Sequence, residues 1–342
     1  MYRKLILITT CLTFCVIVLG AYVRLSDAGL GCPDWPGCYG EVTPARAGDD
    51  IAAAAAIQPN GPVTLPKAWK EMIHRYVAST LGIFIIAIAL VGWLKRAELR
   101  QSPTLPVALI GLVIIQGLLG MWTVTRLLKP VIVTSHLIGG LTILALLTWL
   151  ALRQFRLPGD AGIIALRLTR VLAAAGFAAL AVQIALGGWV STNYAAMACR
   201  DFPLCQDALV PSMDIRNAFH VVRELGMTAN GELLGLPALT AIHWMHRLGA
   251  LATTFALGWL ALRLVADSGT RWLGKLLSVA LVIQVLLGIG SVVLSFPLAL
   301  AVMHNAGAAL LVVTLVIVNF ALRRSVAGGL LLAEQRSSTV AA

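Results

Sequence analysis

Apolar residues gather into eight long runs along this chain, separated by short polar connections and by two longer ones. The runs cover Leu5 to Val23, Met72 to Leu94, Leu105 to Val124, Val131 to Leu152, Leu168 to Val190, Ile242 to Val265, Leu273 to Leu294 and Leu298 to Leu322. Each is close to the roughly 20 residues that a helix needs to cross a hydrocarbon core of about 30 Å. The pattern predicts an all-α membrane protein with eight transmembrane helices. The longer connections, Arg24 to Glu71 and Ser191 to Ala241, fall after the first and the fifth run. Pro59 to Pro62 and the alanines from Ala52 predict a turn and a short surface helix in the first, and Asn230-Gly231 predicts a turn in the second.

The chain also repeats itself. Gly20-Ala-Tyr-Val23 leads to Cys32 and Cys38, and Gly187-Gly-Trp-Val190 leads to Cys199 and Cys205, at a constant offset of 167 residues. Downstream, His74-Arg75 recurs as His246-Arg247, Gln116 to Gly120 as Gln284 to Gly288, and His136 with Gly139 as His304 with Gly307. A repeat of this kind predicts two like four-helix bundles, an N-terminal half over 1–160 and a C-terminal half over 161–342.

Composition agrees with a membrane protein. Hydrophobic residues make up 59% and charged residues 12%, against nearly even apolar and quarter charged shares in soluble domains, and the mean hydropathy is +0.89. The net charge of +11 is unevenly placed. The Met1 side of the runs holds 15 of the Lys and Arg but 4 of the Asp and Glu, whereas the opposite side holds 11 of each. That bias predicts cytoplasmic termini, so the basic balance is a topology signal and nothing supports a nucleic-acid partner. The first run follows only Met1 to Lys4 and lacks an A-x-A-like cleavage site, which predicts a retained helix. The absence of an Arg-rich presequence favours a bacterial inner membrane.

All four outer cysteines lie on the oxidising face, each pair with five residues between its members. A small disulfide-closed loop in each outer segment, Cys32 with Cys38 and Cys199 with Cys205, is the economical reading; a structural staple and a redox-active pair remain alternatives. Cys11 and Cys15 read as small buried hydrophobes of the first helix.

His74, His136, His246 and His304 each fall in the first turns of an even-numbered helix near the outward face. Ionisable groups at that depth are costly and tend to be functional. Two imidazoles on facing helices can bind one haem iron from opposite sides, so each half offers one haem-sized site. Arg75 and Arg247 follow the first histidine of each pair at the water interface, where they can meet haem propionates or lipid headgroups. Gly139, Gly140 and Gly307 lie about a turn past a histidine, where a flat ring or a neighbouring helix can approach. Trp69, Trp122, Trp189 and Trp244 read as an interfacial belt. The halves differ at one polar position: Glu71 stands three residues before His74, and His243 stands three residues before His246. An unpaired carboxylate there can accept a proton, and helix-end electrostatics is the plainer alternative. His220 reads as a solvated loop residue.

These residues resemble the haem A synthase family, the membrane oxidases that mature haem for cytochrome c oxidase. The resemblance rests on the stretch from Gly20 to Pro36, on Glu71-Met-Ile-His-Arg75, on His136 and His304, and on the eight-helix layout. It implies oxidation of a methyl group of haem O to a formyl group, giving haem A. It further implies that His74 and His136 hold the substrate haem and that His246 and His304 hold the iron of a haem b cofactor. By the same resemblance Glu71 is the catalytic acidic residue and Cys32 pairs with Cys38. The implied partners are haem O, the lipid bilayer and haem O synthase (the protohaem farnesyltransferase), and a second copy of the chain is a further candidate. No flavin, nicotinamide or phosphate-binding motif appears, so electrons would leave through an iron centre. A di-haem electron carrier and a haem transporter are the competing readings; both leave the porphyrin unchanged.

Overall fold

The computed structural model describes residues 1–59, 61–99, 101–155 and 167–340. The expected division at 160/161 lies outside the described residues. In chain order the helices are α1 (Tyr2–Leu25), α2 (Gly48–Ile57), α3 (Leu65–Leu94), α4 (Arg96–Leu99), α5 (Thr104–Thr125), α6 (Pro130–Leu152), α7 (Arg167–Thr192), α8 (Ile215–Ala218), α9 (Leu236–Ala266), α10 (Arg271–Val293) and α11 (Leu298–Val340), with one 3-10 turn over Ala195–Ala198. Eight of them, α1, α3, α5, α6, α7, α9, α10 and α11, are long and apolar enough to span a membrane. Among the described residues there is no strand, only isolated bridges such as Cys38 with Glu41 and Cys205 with Ala208.

Two spanning helices start before their apolar runs. α3 begins at Leu65 rather than Met72, and α9 at Leu236 rather than Ile242. Both carry proline in the first turn, and the Thr64 side chain caps α3 by accepting from the Lys67 N–H at 3.4 Å. Proline presets the helical φ where its missing donor costs nothing, so a polar first turn can stand in water above the apolar run. Each long outer segment therefore ends in a rigid helical stem.

In the first half α1 packs on α3, α3 on α5, α5 on α6, and α6 back on α1; in the second, α7 packs on α9, α9 on α10, α10 on α11, and α11 back on α7. The two rings meet where α11 lies against α1 and α6 and where α7 lies against α6. One buried cluster, including Ile6, Ile85, Ile88, Leu109 and Leu147, fills the first ring. A larger one, including Leu144, Leu257, Leu260, Leu277 and Leu315, fills the second ring and its contact with α6. Since lipid is as apolar as leucine, these helices gain from close packing rather than from escape from water. The contact points show it: a Cβ at Gly176 would come within 2.9 Å of Leu257, and one at Gly274 within 2.6 Å of the Val265 main-chain nitrogen.

Cys11 and Cys15 are exposed on the bundle, contrary to the expectation of burial. The buried face of α1 carries Tyr2, Ile6, Thr9, Thr13 and Val16, and helical geometry puts positions 11 and 15 on the opposite side. Trp189 also departs from the expected interfacial belt. It is buried and donates its indole N–H to the Ala218 carbonyl at 2.9 Å, so it pins the second outer segment to α7.

The outer segments are folded caps. Cys32 and Cys38 are bonded with Cα atoms 4.9 Å apart, and Cys199 and Cys205 with Cα atoms 4.8 Å apart. Within each ring an aspartate holds the turn: Asp34 accepts from the Tyr39 and Gly40 N–H groups at 2.6 and 2.7 Å, and Asp201 accepts from those of Gln206 and Asp207 at 2.9 and 3.0 Å. A carboxylate placed across each loop in this way satisfies main-chain donors that a tight loop leaves unpaired. The second cap also ties to the first half, through Arg24 donating to the Ser191 carbonyl at 2.7 Å and the Lys129–Glu224 ion pair at 2.6 Å.

The first cap docks on the α3 stem at Gly31, where a Cβ would lie 2.6 Å from the Ala68 nitrogen and 2.8 Å from the Lys67 carbonyl oxygen. Both are main-chain atoms that cannot swing aside. Gly31→Ala is expected to destabilise the protein by about 1–3 kcal/mol, read as a lower thermal midpoint and faster hydrogen exchange between Cys32 and Cys38. An unchanged midpoint would show that the docking is loose.

Candidate functional site

Because α3 and α9 start early, His74 and His246 stand in the third turns of their helices, and His136 and His304 stand in the second turns of α6 and α11. The structure places His74 and His136 on the walls of one cavity, and His246 and His304 hold the corresponding places on α9 and α11. Every ring is backed by a glycine of the adjacent helix. A Cβ at Gly20 would meet His74 Cε1 at 2.9 Å, one at Gly187 His246 Cε1 at 2.9 Å, one at Gly120 His136 Cε1 at 3.4 Å, and one at Gly288 His304 Cε1 at 3.0 Å. Removing the side chain there lets each helix close onto an imidazole.

Of the three glycines expected to admit a flat ring or a neighbouring helix, Gly140 lines the cavity of the first pair, and the other two pack against glutamines. A Cβ at Gly139 would sit 1.7 Å from Gln116 Nε2, and one at Gly307 2.1 Å from Gln284 Oε1. Their space is filled by glutamines, which crowds out the predicted approach. Gln284 Nε2 reaches His304 Nε2 at 3.4 Å, and Gln183 Nε2 reaches His246 Nδ1 and the His246 carbonyl, each at 3.0 Å. Sequence reasoning did not assign these glutamines a role. The signal was present in the repeat of Gln116 to Gly120 as Gln284 to Gly288, whereas Gln183 belongs to no repeat.

The N-terminal pair opens into a cavity of about 890 Å³. Its walls include Gly20, Val113, Leu137 and Ile143; Arg24, Glu71 and Arg75 lie at its outward end; and Ser191, Thr192 and Asn305 reach it from the second half. Glu71 is buried, at 4% exposure, and it is not the unpaired carboxylate that the sequence suggested. Oε1 accepts from Arg75 Nη2 at 2.5 Å, and Oε2 from the Cys32 N–H at 3.1 Å. One helical turn places Arg75 beside Glu71, and the cap folded over α3 supplies the amide.

Arg75 also donates through Nη1 to the carbonyls of Asp34 at 2.8 Å and Gly37 at 2.6 Å. Arg247 does the same for the second cap, donating to Leu204 at 2.6 Å and Cys199 at 2.9 Å. Both arginines thus clamp a disulfide loop. In the second half Arg247 Nε donates to His243 Nε2 at 3.3 Å, and His243 is buried at 3% exposure. His220 is exposed, as expected of a loop residue.

These residues fit a bis-imidazole haem. Nδ1 of His74, His136 and His304 is buried with no hydrogen-bond partner in the protein. Leaving a polar atom so placed costs about 1–3 kcal/mol, so protein hydrogen bonds at that nitrogen are not what keeps these rings in the bundle.

Comparison with known proteins agrees with this arrangement. The model of the COX15-CtaA family, described as "Cytochrome oxidase assembly protein", matches residues 3–316. A protein of Shewanella oneidensis named heme A synthase is 41% identical over 317 residues, covering 92% of this chain and 95% of its own. Proteins of the same name are 28% identical over 338 residues in Nitrosospira multiformis, covering 92% and 91% of the two chains, and 27% identical over 236 residues in Halalkalibacterium halodurans, covering 68% and 72%. A family match over nearly the whole chain, with the paired histidines and capped cavity in place, shows that this chain belongs to the COX15-CtaA family of cytochrome oxidase assembly proteins.

Proposed function

We propose that this protein is a haem A synthase, which oxidises a methyl group of haem O to a formyl group in the N-terminal half and carries a haem b cofactor in the C-terminal half. The observation that carries the reading is the asymmetry of two otherwise matching centres: the pair His74 and His136 opens into a large cavity beside a buried carboxylate, while its counterpart has His243 where Glu71 would be. An iron porphyrin bound between His246 and His304 supplies one-electron chemistry.

The chain's own residues do the rest. His74 and His136 orient the substrate ring, and the apolar walls seat its hydrocarbon substituents. The Arg75-clamped cap closes the outward end against water. Glu71 exchanges a proton at a carboxylate oxygen; Oε2, which accepts from main-chain amide N–H rather than from a guanidinium, is the freer of the two. We place the termini in the cytoplasm and the caps outside a bacterial inner membrane, assign the halves to 1–160 and 161–342, and expect delivery of substrate by haem O synthase. Self-association is a further expectation. Near the outer surface, Arg24 and Arg75 give haem propionates two cations, with Arg247 as the counterpart in the second half.

Two outcomes follow. Replacing His246 or His304 by alanine is expected to abolish the low-spin b-type signal of the purified protein, since one imidazole cannot hold a six-coordinate iron alone; a full wild-type spectrum in the double variant would contradict the assignment. Glu71→Gln is expected to keep the fold and the haem b spectrum but to cut haem A formation by about a hundredfold or more, in line with the loss of a general acid–base group, with an alcohol intermediate accumulating. His243→Ala should act more mildly. Porphyrin chromatography in cells with no other source of haem A measures both, and normal haem A from Glu71→Gln would return Glu71 to a purely structural place beneath the cap.

A further inference from the structure

The two pairs differ in a way that the Glu71/His243 contrast does not capture. Of the four rings, only His246 has its Nδ1 hydrogen-bonded, at 3.0 Å from Gln183 Nε2; Nδ1 of His74, His136 and His304 has no partner. Gln183 reaches His246 because Gly249, one turn further along α9, has no side chain: a Cβ there would fall 2.3 Å from Gln183 Oε1. The offsets that relate the halves map Gln183 onto Val16 and Gly249 onto Val77. Both valines belong to the apolar packing of the first ring. The glutamine and the glycine that receives it are thus replaced together, and the equivalent positions in the first half carry hydrocarbon.

We propose that Gln183 is a positioning residue that locks His246 as a permanent axial ligand, and that the Val16–Val77 pair leaves His74 free to turn, so that haem in the N-terminal half can exchange. This rests on the reading of both pairs as haem ligands. An imidazole that ligates through one nitrogen carries its proton on the other, and a partner there fixes the ring plane and raises its basicity. In the structure the Gln183 amide N–H group faces Nδ1 and donates to the His246 carbonyl; when Nδ1 carries the proton, a half-turn gives up the carbonyl bond and presents Oε1 as the acceptor. Gln183 Oε1 is buried with no other partner, so it is not committed elsewhere. A synthase needs the contrast: a cofactor must stay through many turnovers, while a substrate must enter as one porphyrin and leave as another. A ring whose Nδ1 has no hydrogen-bond partner can rotate off the iron without breaking such a bond.

The test uses the full-length protein loaded with iron protoporphyrin IX in two backgrounds. His136→Ala leaves the C-terminal pair intact, and His304→Ala leaves the N-terminal pair intact. Transfer to apomyoglobin reads haem release in each. In the first background Gln183→Met, which keeps the shape but removes the amide, is expected to speed release by about ten- to a hundredfold. The midpoint potential of the remaining haem is also expected to rise, because a ring without an Nδ1 partner donates less charge to iron; loosened packing alone gives no such signed shift. In the second background Val16→Gln with Val77→Gly installs the missing device and should slow release by a similar factor. Unchanged release rates and potential in the two folded variants would overturn the proposal. If Gln183→Met does not fold, the installed pair decides alone, and unchanged release from it is sufficient to overturn. Failure of both backgrounds to take up haem would instead overturn the assignment of the histidine pairs themselves.

Discussion

The structure depends on one contact made four times, an imidazole pressed against a glycine of the neighbouring helix. A histidine inside a bilayer has no water to turn to, and a helix interface without a hydrophobic driving force closes only as far as its side chains allow. Gly20, Gly120, Gly187 and Gly288 set that distance at His74, His136, His246 and His304. They fix the spacing of α1 to α3 and α5 to α6 in one half, and of α7 to α9 and α10 to α11 in the other. With the helices so spaced, His74 and His136 stand on the walls of one cavity.

On this common plan three differences between the halves fall beside the histidines. Glu71 and His243 occupy one position, Val16 and Gln183 another, and Val77 and Gly249 a third. Each change alters what the ring beside it can do, while the packing that holds the ring stays the same. The caps follow the same logic. An arginine one residue after each first histidine is anchored to a disulfide loop, so the outer segment is tied to the stem of α3 or α9 beside that histidine. Glu71 joins that tie through Arg75 and Cys32, which links the cavity to its outward cover.

Much of this was legible in the sequence because membrane chemistry is severe. Eight apolar runs gave the spans, and the charge bias suggested the orientation. Four histidines inside those runs were conspicuous because charged or polar rings are rare there. What escaped were relations between helices. The early starts of α3 and α9 were hidden because Pro66 and Pro237 open helices outside the apolar window. Cys11 and Cys15 were misplaced because a helix apolar all round gives no sign of which face packs. Glu71 reads as unpaired in the sequence because Arg75 is weighed there as a partner of propionates or lipid headgroups and not of the carboxylate one helical turn before it. The glutamines stayed silent because Gln183 lies over 60 residues from the ring it touches, and the glycine that makes room for it carries no signal of its own.

The central claim is that one half holds a cofactor and the other a substrate of different chemistry. Mass spectrometry of the haems extracted from the purified wild-type protein tests it most directly. The account predicts two kinds of porphyrin in the same preparation: protohaem, and a farnesylated haem present as haem O, haem A or an intermediate between them. Two equivalents of protohaem per chain, with no farnesylated haem in cells that make haem O, would contradict it.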